Sequence, residues 1–248
     1  MPGRKRSPTD GPPSVLSRSA LEAYIRCPFC FYLHRRLGIK PPEQFPLTLA
    51  TATDALLKNE FDAVRRSGGS HPLWEREGLK VRAFDHPQID VWRQNFKGIR
   101  TVHRPTGTTV TGAVDDVWEN LHTGQLHIVD YKSTSKQGDP SLEGGFGEGY
   151  RRQMEIYQWL FRQEGFDVHP VGYFLYVNGS KRGAFYGDAL AGRMLFDTVV
   201  LPHEGRDDWV GDVVTRAVEC LHGSLPEPSP TDCDSCRYFQ ERSGVVRP

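Results

Sequence analysis

The sequence predicts a mixed α/β fold, and three observations predict it. Two runs rich in β-branched residues, "TTVTGAVDDVW" and "QLHIVDYKS", flank the turn-like "NLHTG" and read as an antiparallel pair. Helical patterns precede them, and the helical run "YRRQMEIYQWLFRQEG" parts them from the later strand-like runs "PVGYFLYVNG" and "RMLFDTVVL". Helices, an antiparallel core, a crossover helix and more strands, in that order, make a mixed α/β domain.

The elements follow in order. The first sixteen residues are rich in Pro, Gly, Ser and charge and read as a disordered basic tail. "SALE" at Ser19 is a capping box with Glu22 at the third helical position, starting a helix through "LEAYIRCPFCFYLHRRLG" that Pro28 disturbs. After the loop "KPPEQFP" a second helix, "LATATDALLKNEFDAVRRSGG", takes Ala55, Leu56, Phe61 and Val64 as its apolar stripe. The stretch from His71 to Thr101 carries no motif, and its Trp74, Trp92 and Phe96 read as core, or, if exposed, as stacking partners for a single strand. "KQGDPSLEGGFGEG" is a Gly-rich connector, Tyr150, Met154, Tyr157 and Phe161 share one side of the crossover helix, and "DDWVGDVVTRAVECLHG" is a last helix. The expected organisation is one domain over residues 17–240 with a short tail at 241–248.

Composition narrows the function classes. With 31 basic and 31 acidic residues, net charge argues neither for nor against a polyanionic partner, so nucleic acid would need a local basic patch. Arg35-Arg36, Arg65-Arg66, Arg151-Arg152 and the N-terminal "GRKR" are candidates, each also readable as a solvated face. No run is long enough to span a membrane and the N-terminus lacks an apolar signal core, so a cytoplasmic protein is expected. Two CxxC pairs, Cys27/Cys30 and Cys233/Cys236, lie near opposite ends, and in a reduced compartment this spacing favours a bound metal over disulfides. Four thiolates suit zinc or an iron–sulfur cluster. Cys220 reads as a buried helix residue.

The strand-like "IVDYKS" puts Asp130 and Lys132 two residues apart, hence on one face. Alone, that is an ion pair. One hairpin away, "GAVDD" offers Asp115 or Asp116: an even-numbered connection puts Asp115 beside Asp130, an odd one Asp116. Two carboxylates and a lysine converging at a strand end suit Mg²⁺ or Mn²⁺, because hard cations take oxygen ligands.

Gly112 and Asp115, then Asp130 and Lys132, then Gln153 and Tyr157 resemble, in order, the Gly-x-x-Asp, Asp/Glu-x-Lys and Gln-x-x-x-Tyr motifs of the PD-(D/E)XK nuclease superfamily, specifically its RecB-like branch. That branch includes CRISPR adaptation nucleases and AddB-type helicase-nucleases. The resemblance implies a restriction-endonuclease-like central mixed sheet flanked by helices. It favours Asp115 over Asp116 and makes Asp115 and Asp130 metal ligands, with the Tyr131 carbonyl as a backbone ligand. It gives Lys132 the attacking water and Gln153 and Tyr157 the strand. The implied activity is Mg²⁺- or Mn²⁺-dependent hydrolysis of DNA, exonuclease-like on single-stranded or end-containing substrates, within a DNA-processing or CRISPR-type assembly. The alternative is a non-catalytic nucleic-acid-binding module of the same fold.

There are two departures. Where the branch has a histidine on an early helix this chain has Asp54, which is either a third carboxylate ligand or the ion-pair partner of Lys58 four residues on. Glu60 and Asp62 are lesser candidates. Several RecB-like nucleases hold a [4Fe–4S] cluster with one N-terminal and three C-terminal cysteines. Here the four divide two and two, which a structural Zn²⁺ would also satisfy. In either case the resemblance implies a brace between the two chain ends.

Overall fold

A computed structural model describes residues 13–40, 48–144, 147–186 and 192–245. Most of the expected tail, nearly all of the "KPPEQFP" loop and part of the Gly-rich connector lie outside them. In chain order the first elements are β1 (Val15–Ser17), α1 (Arg18–Arg26), α2 (Pro28–Arg35), α3 (Thr48–Ser67), α4 (Pro72–Arg76), β2 (Val81–Ala83), α5 (Ile89–Trp92) and β3 (Ile99–His103). Then come β4 (Thr108–Gly112), β5 (Asp116–Asn120), β6 (Leu126–Thr134), α6 (Gly147–Gln163), β7 (Val171–Gly179), β8 (Phe196–Glu204), α7 (Val210–His222) and α8 (Asp234–Val245). They cluster into two compact units, one within Met1–Phe45, Arg100–Gly112 and Asp208–Pro248, the other within Pro46–Ile99 and Ala113–Asp207.

The first unit holds a three-stranded sheet, β1-β4-β3, with β1 parallel to β4. Ser17, not Ser19, caps α1: its backbone is extended and its side chain accepts from the Ala20 N–H at 3.2 Å. An N-cap residue must itself be non-helical, and Ser19 already lies inside the helix. The expected single helix is two, because proline drives the residue before it out of the helical region. Cys27 accordingly sits at φ −165°, ψ 103°, and Pro28 takes the first turn of α2. α7 packs against α1 and α2, with Leu21, Phe31, Val214 and Ala217 fully shielded from solvent or nearly so. Cys220 is half-buried rather than buried, and residues 241–245, expected as tail, continue α8.

The second unit is built on a five-stranded mixed sheet, β2-β5-β6-β7-β8, in which only the β6–β7 pair is parallel and α6 is its crossover. One sheet face carries Trp118, Val129, Tyr131, Leu175 and Val200, closed over by Phe61, Leu73 and Trp74 from α3 and α4. Burying an aromatic of this size stabilises by roughly 1.5–3 kcal/mol. The Trp74 and Trp118 rings meet edge-to-face at 5.4 Å, as the ring quadrupoles favour. On α3 the inward residues are Thr53, Leu57, Phe61 and Val64, while Leu56 is exposed: the stripe lies one residue further round than expected. Trp74 and Trp92 are core, as expected, but Phe96 is exposed.

α6 covers the other face. Expected to be apolar on one side, it is buried on nearly every side from Gln153 to Phe161. A Cβ on Gly172 of β7 would stand 2.4 Å from Met154 Sδ, so glycine there permits the close approach of α6 to the sheet.

The run "TTVTGAVDDVW", expected as one strand, is two: β4 pairs with β1 in one sheet and β5 with β6 in the other. The chain leaves the ladder at Ala113–Asp115, which places Asp115 at the mouth of β5 rather than within a strand.

Candidate active site

The β5–β6 register pairs Asp116 with Val129 and Val117 with Ile128. The connection is the even-numbered case, so Asp116 shares a face with Val129 and Tyr131, and Asp115 falls opposite Asp130. Asp116 is therefore spent on structure. It is fully buried: Oδ1 accepts from Arg93 Nη2 at 2.8 Å, from the Val117 N–H and from Arg65, and Oδ2 accepts from the Tyr131 hydroxyl at 3.0 Å. Asp62 joins by pairing with Arg65 and Arg93. Arg65, readable from sequence as a solvated residue, is a buried counter-ion. Paired in this way the four charges are tolerated, whereas any one left alone would be costly.

Tyr131 ties the two aspartates together, since its N–H donates to Asp115 Oδ2 at 2.8 Å while its hydroxyl holds Asp116. Asp115 Oδ1 is 3.4 Å from Lys58 Nζ, which also bonds Asp54 Oδ2 at 2.9 Å. The Asp54–Lys58 pair weighed from sequence is thus present, and Lys58 extends it to Asp115. Glu60 turns away to His71.

Asp130 and Lys132 project from β6 towards α6. Asp130 is buried, with Oδ2 against the Lys132 ammonium and Oδ1 accepting from Gln153 Nε2 at 2.6 Å. Gln153 uses both ends of its amide: its Oε1 accepts from Lys132 Nζ at 3.2 Å, and its Nε2 also donates to the Tyr157 hydroxyl at 3.2 Å. One helical turn apart, Gln153 and Tyr157 thereby lock the acid–lysine pair. The Lys132 ammonium lies 4.4 Å from the Tyr150 ring centroid, a cation–π contact.

The electrostatics describe a site short of positive charge. Burial, then the negative charge of Asp130, pushes the Asp115 carboxyl up to about 7, against the pull of Lys58 and the Tyr131 N–H. Burial works against both lysines, but Asp115 and Asp54 hold Lys58, and Asp130 holds Lys132, above the ordinary lysine value. Three carboxylates face two ammoniums and offer the hard oxygen donors that a divalent cation takes, but among the described residues only the cysteines bring three or more ligand atoms within 4.8 Å of one another. Positive charge added beside Asp115 would favour its ionised form.

The four cysteines come together in the first unit. Cys27 Sγ and Cys236 Sγ are 3.6 Å apart, Cys30 Sγ is 3.7 Å from both Cys233 and Cys236 Sγ, and all four lie within 4.8 Å of one another. The cluster joins the N- and C-terminal segments through α2 and α8. None is in a disulfide. The helix break at Cys27 makes that residue the N-cap of α2, with Sγ accepting the Cys30 N–H. Burial and the neighbouring thiols push Cys30 well up, whereas hydrogen bonds from the backbone and the other thiols outweigh burial at Cys233 and lower it.

Residues 15–240 match the family model of the PD-(D/E)XK nuclease superfamily, and the chain belongs to it. It is a superfamily of nucleases, which act on nucleic acid and typically use divalent metals. No curated protein matches the chain. No described helix is long and apolar enough to cross a membrane.

The structure gathers Asp54, Asp115, Tyr131, Asp130, Lys132, Gln153 and Tyr157 around one sheet end, and Cys27, Cys30, Cys233 and Cys236 into one cluster. Sequence reasoning missed the second contact of Lys58, the ring of Tyr150 beneath Lys132, and the Arg65–Arg93–Asp62–Asp116 network. Lys58 and Tyr150 carried a signal, one helical turn from Asp54 and three residues from Gln153. Arg93 sits where no motif or period marked it.

Proposed function

We propose that the protein is a Mg²⁺- or Mn²⁺-dependent deoxyribonuclease of the RecB-like branch, exonuclease-like on single-stranded or end-containing DNA. One observation carries this reading. Asp130, Lys132 and Gln153 form one hydrogen-bonded cluster, and Asp115 is fastened beside it by the N–H of Tyr131, the residue between Asp130 and Lys132, so two acids and a lysine meet at one sheet end.

Asp115 and Asp130 would hold the cation, with Asp54 and the Tyr131 carbonyl completing the set. Bound there, it would acidify water and neutralise charge building on the phosphate. Lys132 keeps its proton, so its ammonium donates to the attacking water or to a non-bridging phosphate oxygen. Gln153 fixes the direction of that ammonium through Oε1 and of Asp130 through Nε2. Tyr157 fixes Gln153. Lys58 bridges Asp54 and Asp115 and shields them from one another.

The four-sulfur spacing supports a single ion. Thiolates at about 2.3 Å from one tetrahedral zinc stand roughly 3.8 Å apart, close to the 3.6–3.7 Å contacts seen. In an iron–sulfur cubane each thiolate binds its own iron, so the sulfurs stand further apart. Zn²⁺ therefore fits this chain better than the [4Fe–4S] cluster that the resemblance implies, in a bracing role that also suits a reduced, cytoplasmic setting. Colourless protein with one zinc per chain is the expected result; visible absorption from bound iron would reverse it.

The test of function is cleavage of end-labelled single- and double-stranded DNA with Mn²⁺, Mg²⁺ or EDTA, with Lys132→Ala beside the parent. Metal-dependent cutting that falls on the order of a thousandfold in the variant is expected. Equal rates would remove Lys132 from the chemistry. No cutting by folded protein with either metal would favour the non-catalytic binding module.

A further inference from the structure

A cavity of about 690 Å³ lies on the five-stranded sheet, and none of Asp54, Asp115, Asp130 and Lys132 lines it. The strand register places it. Asp130 pairs with Phe174 and Phe174 with Leu201; Lys132 with Tyr176 and Tyr176 with Val199; Thr134 with Asn178 and Asn178 with Asp197. These three rows point to one face, because paired residues share a face and rows two apart repeat it. Asn178, Asp197, Val199 and Leu201 line the cavity. Its floor is therefore the same sheet face that presents Asp130 and Lys132, and its Asn178 row is about 7 Å along β6 from Lys132, on the scale of one nucleotide of extended strand.

Its rim is basic and hydrogen-bonding. Lys136 stands on one side, Lys181 and Arg182 on the other, all exposed. Asn178 fastens the rim, accepting from the Lys136 N–H at 3.0 Å and donating to the Lys136 carbonyl at 3.1 Å. Asp139 also lines the cavity, so with Asp197 the basic excess is one charge.

Lys181 and Arg182 begin an arm, described over residues 180–186 and 192–195, that prolongs β7 and β8. Ser180 N–H donates to the Leu195 carbonyl at 2.8 Å, Arg193 N–H to the Phe185 carbonyl at 2.9 Å, and Tyr186 pairs with Gly192. The arm holds two aromatics in the open, Phe185 at 66 % and Tyr186 at 64 % exposure, with ring centroids 5.2 Å apart. The Phe185 ring lies across Gly192, where a Cβ would be 2.2 Å from it, so glycine allows the ring to rest on the opposite strand. Exposed aromatics on a backbone-paired segment beside lysine and arginine are the parts of a single-strand platform, in which bases stack and phosphates pair.

We infer that this groove and arm bind the unpaired stretch of a nucleic acid strand leading to the carboxylate site, Lys136, Lys181 and Arg182 meeting phosphates and Phe185 and Tyr186 stacking bases. The inference rests on the nuclease reading for the identity of the site it leads to. It makes the arm the element that selects single-stranded over duplex substrate: a paired base offers no free face for the rings.

Binding is tested apart from cleavage, by fluorescence anisotropy of a fluorescein-labelled oligothymidylate of roughly fifteen nucleotides, in buffer with Ca²⁺ in place of Mn²⁺. Lys181→Ala with Arg182→Ala is expected to weaken binding about tenfold at low salt and to flatten the plot of log affinity against log salt by roughly 1.4. Phe185→Ala with Tyr186→Ala is expected to weaken it about tenfold with the slope unchanged. Parental melting temperatures would show both variants folded, as expected for exposed positions. Hydrolysis of thymidine 5′-(p-nitrophenyl phosphate), too short to reach the groove, should be equal in parent and variants. If no substrate is cut the nuclease reading fails, yet the anisotropy still decides the groove. Parental affinity and slope in both variants would overturn the inference. So would a blunt duplex bound as tightly as the oligothymidylate through the same residues.

Discussion

The two units each carry a cluster of metal-ligand residues, and the clusters are made in opposite ways. The cysteine site draws on residues more than two hundred positions apart and brings four soft donors within 4.8 Å of one another. The carboxylate site draws on one hairpin and the helices beside it, and two lysines already occupy its acids. The first arrangement suits a metal that holds the chain together, because without an ion four clustered thiols have little reason to converge. The second suits a metal that comes and goes, because the protein has its own cations to keep three carboxylates folded in the meantime. Bracing and chemistry thus call for different degrees of self-sufficiency.

Removing one thiolate should have the largest effect. If the proposed zinc is bound, Cys236→Ser is expected to abolish its binding and to cost several kcal/mol of stability, lowering the melting temperature by about 10 °C or more. An unchanged melting temperature would mean that the cysteines brace nothing.

The pH response sharpens the contrast at the other site. The folded Asp115 carboxyl, near 7, binds a proton more tightly than the unfolded one near its ordinary value. Between about pH 4 and 7 the metal-free folded state therefore holds more protons than the unfolded state, and stability falls as pH rises through that window. Asp130, Asp54 and Lys58 are the charges that face it. Mn²⁺ must displace the proton, so its apparent affinity should rise up to about tenfold per unit below pH 7 and level off above. Titration calorimetry of parent and Asp115→Asn checks this, the variant losing the pH slope; an equal slope in both would place the titrating group elsewhere.

The smallest effect is expected from Tyr157→Phe. It deletes one hydrogen bond to Gln153, worth about 0.5–1.5 kcal/mol, and should slow cleavage two- to tenfold with little change in melting temperature. A loss as large as that of Lys132→Ala would instead put the hydroxyl on the substrate.

Much of this was legible in the sequence, for physical reasons. Strand alternation put Asp130 and Lys132 on one face, helical periodicity put Gln153 and Tyr157 on another, and the CxxC spacing marked the cysteines. What was not legible depended on long-range partners. The choice between Asp115 and Asp116 needed the register of β5 against β6 or the resemblance, since adjacent residues on one short segment are equivalent locally. The break after Gly112 was hidden because both halves of "TTVTGAVDDVW" have strand character and only their different sheets separate them. Arg65 reads as surface by composition and becomes core only when Asp116 is placed beside it. The stripe on α3 slipped by one residue, from Leu56 to Leu57, because Leu-Leu is ambiguous at helical spacing.

On the proposed reading catalysis belongs to the carboxylate site and a metal on the cysteines only braces. The most direct test of that reading is to dialyse the protein against a mild chelator, then measure zinc content and DNA cleavage on the same samples, before and after adding Mn²⁺, for the parent and Asp130→Asn. The account predicts that zinc stays near one per chain throughout, that cutting stops on dialysis and returns with Mn²⁺, and that Asp130→Asn keeps its zinc yet never cuts. Cutting that survives in Asp130→Asn, or that follows the zinc rather than the Mn²⁺, would contradict it.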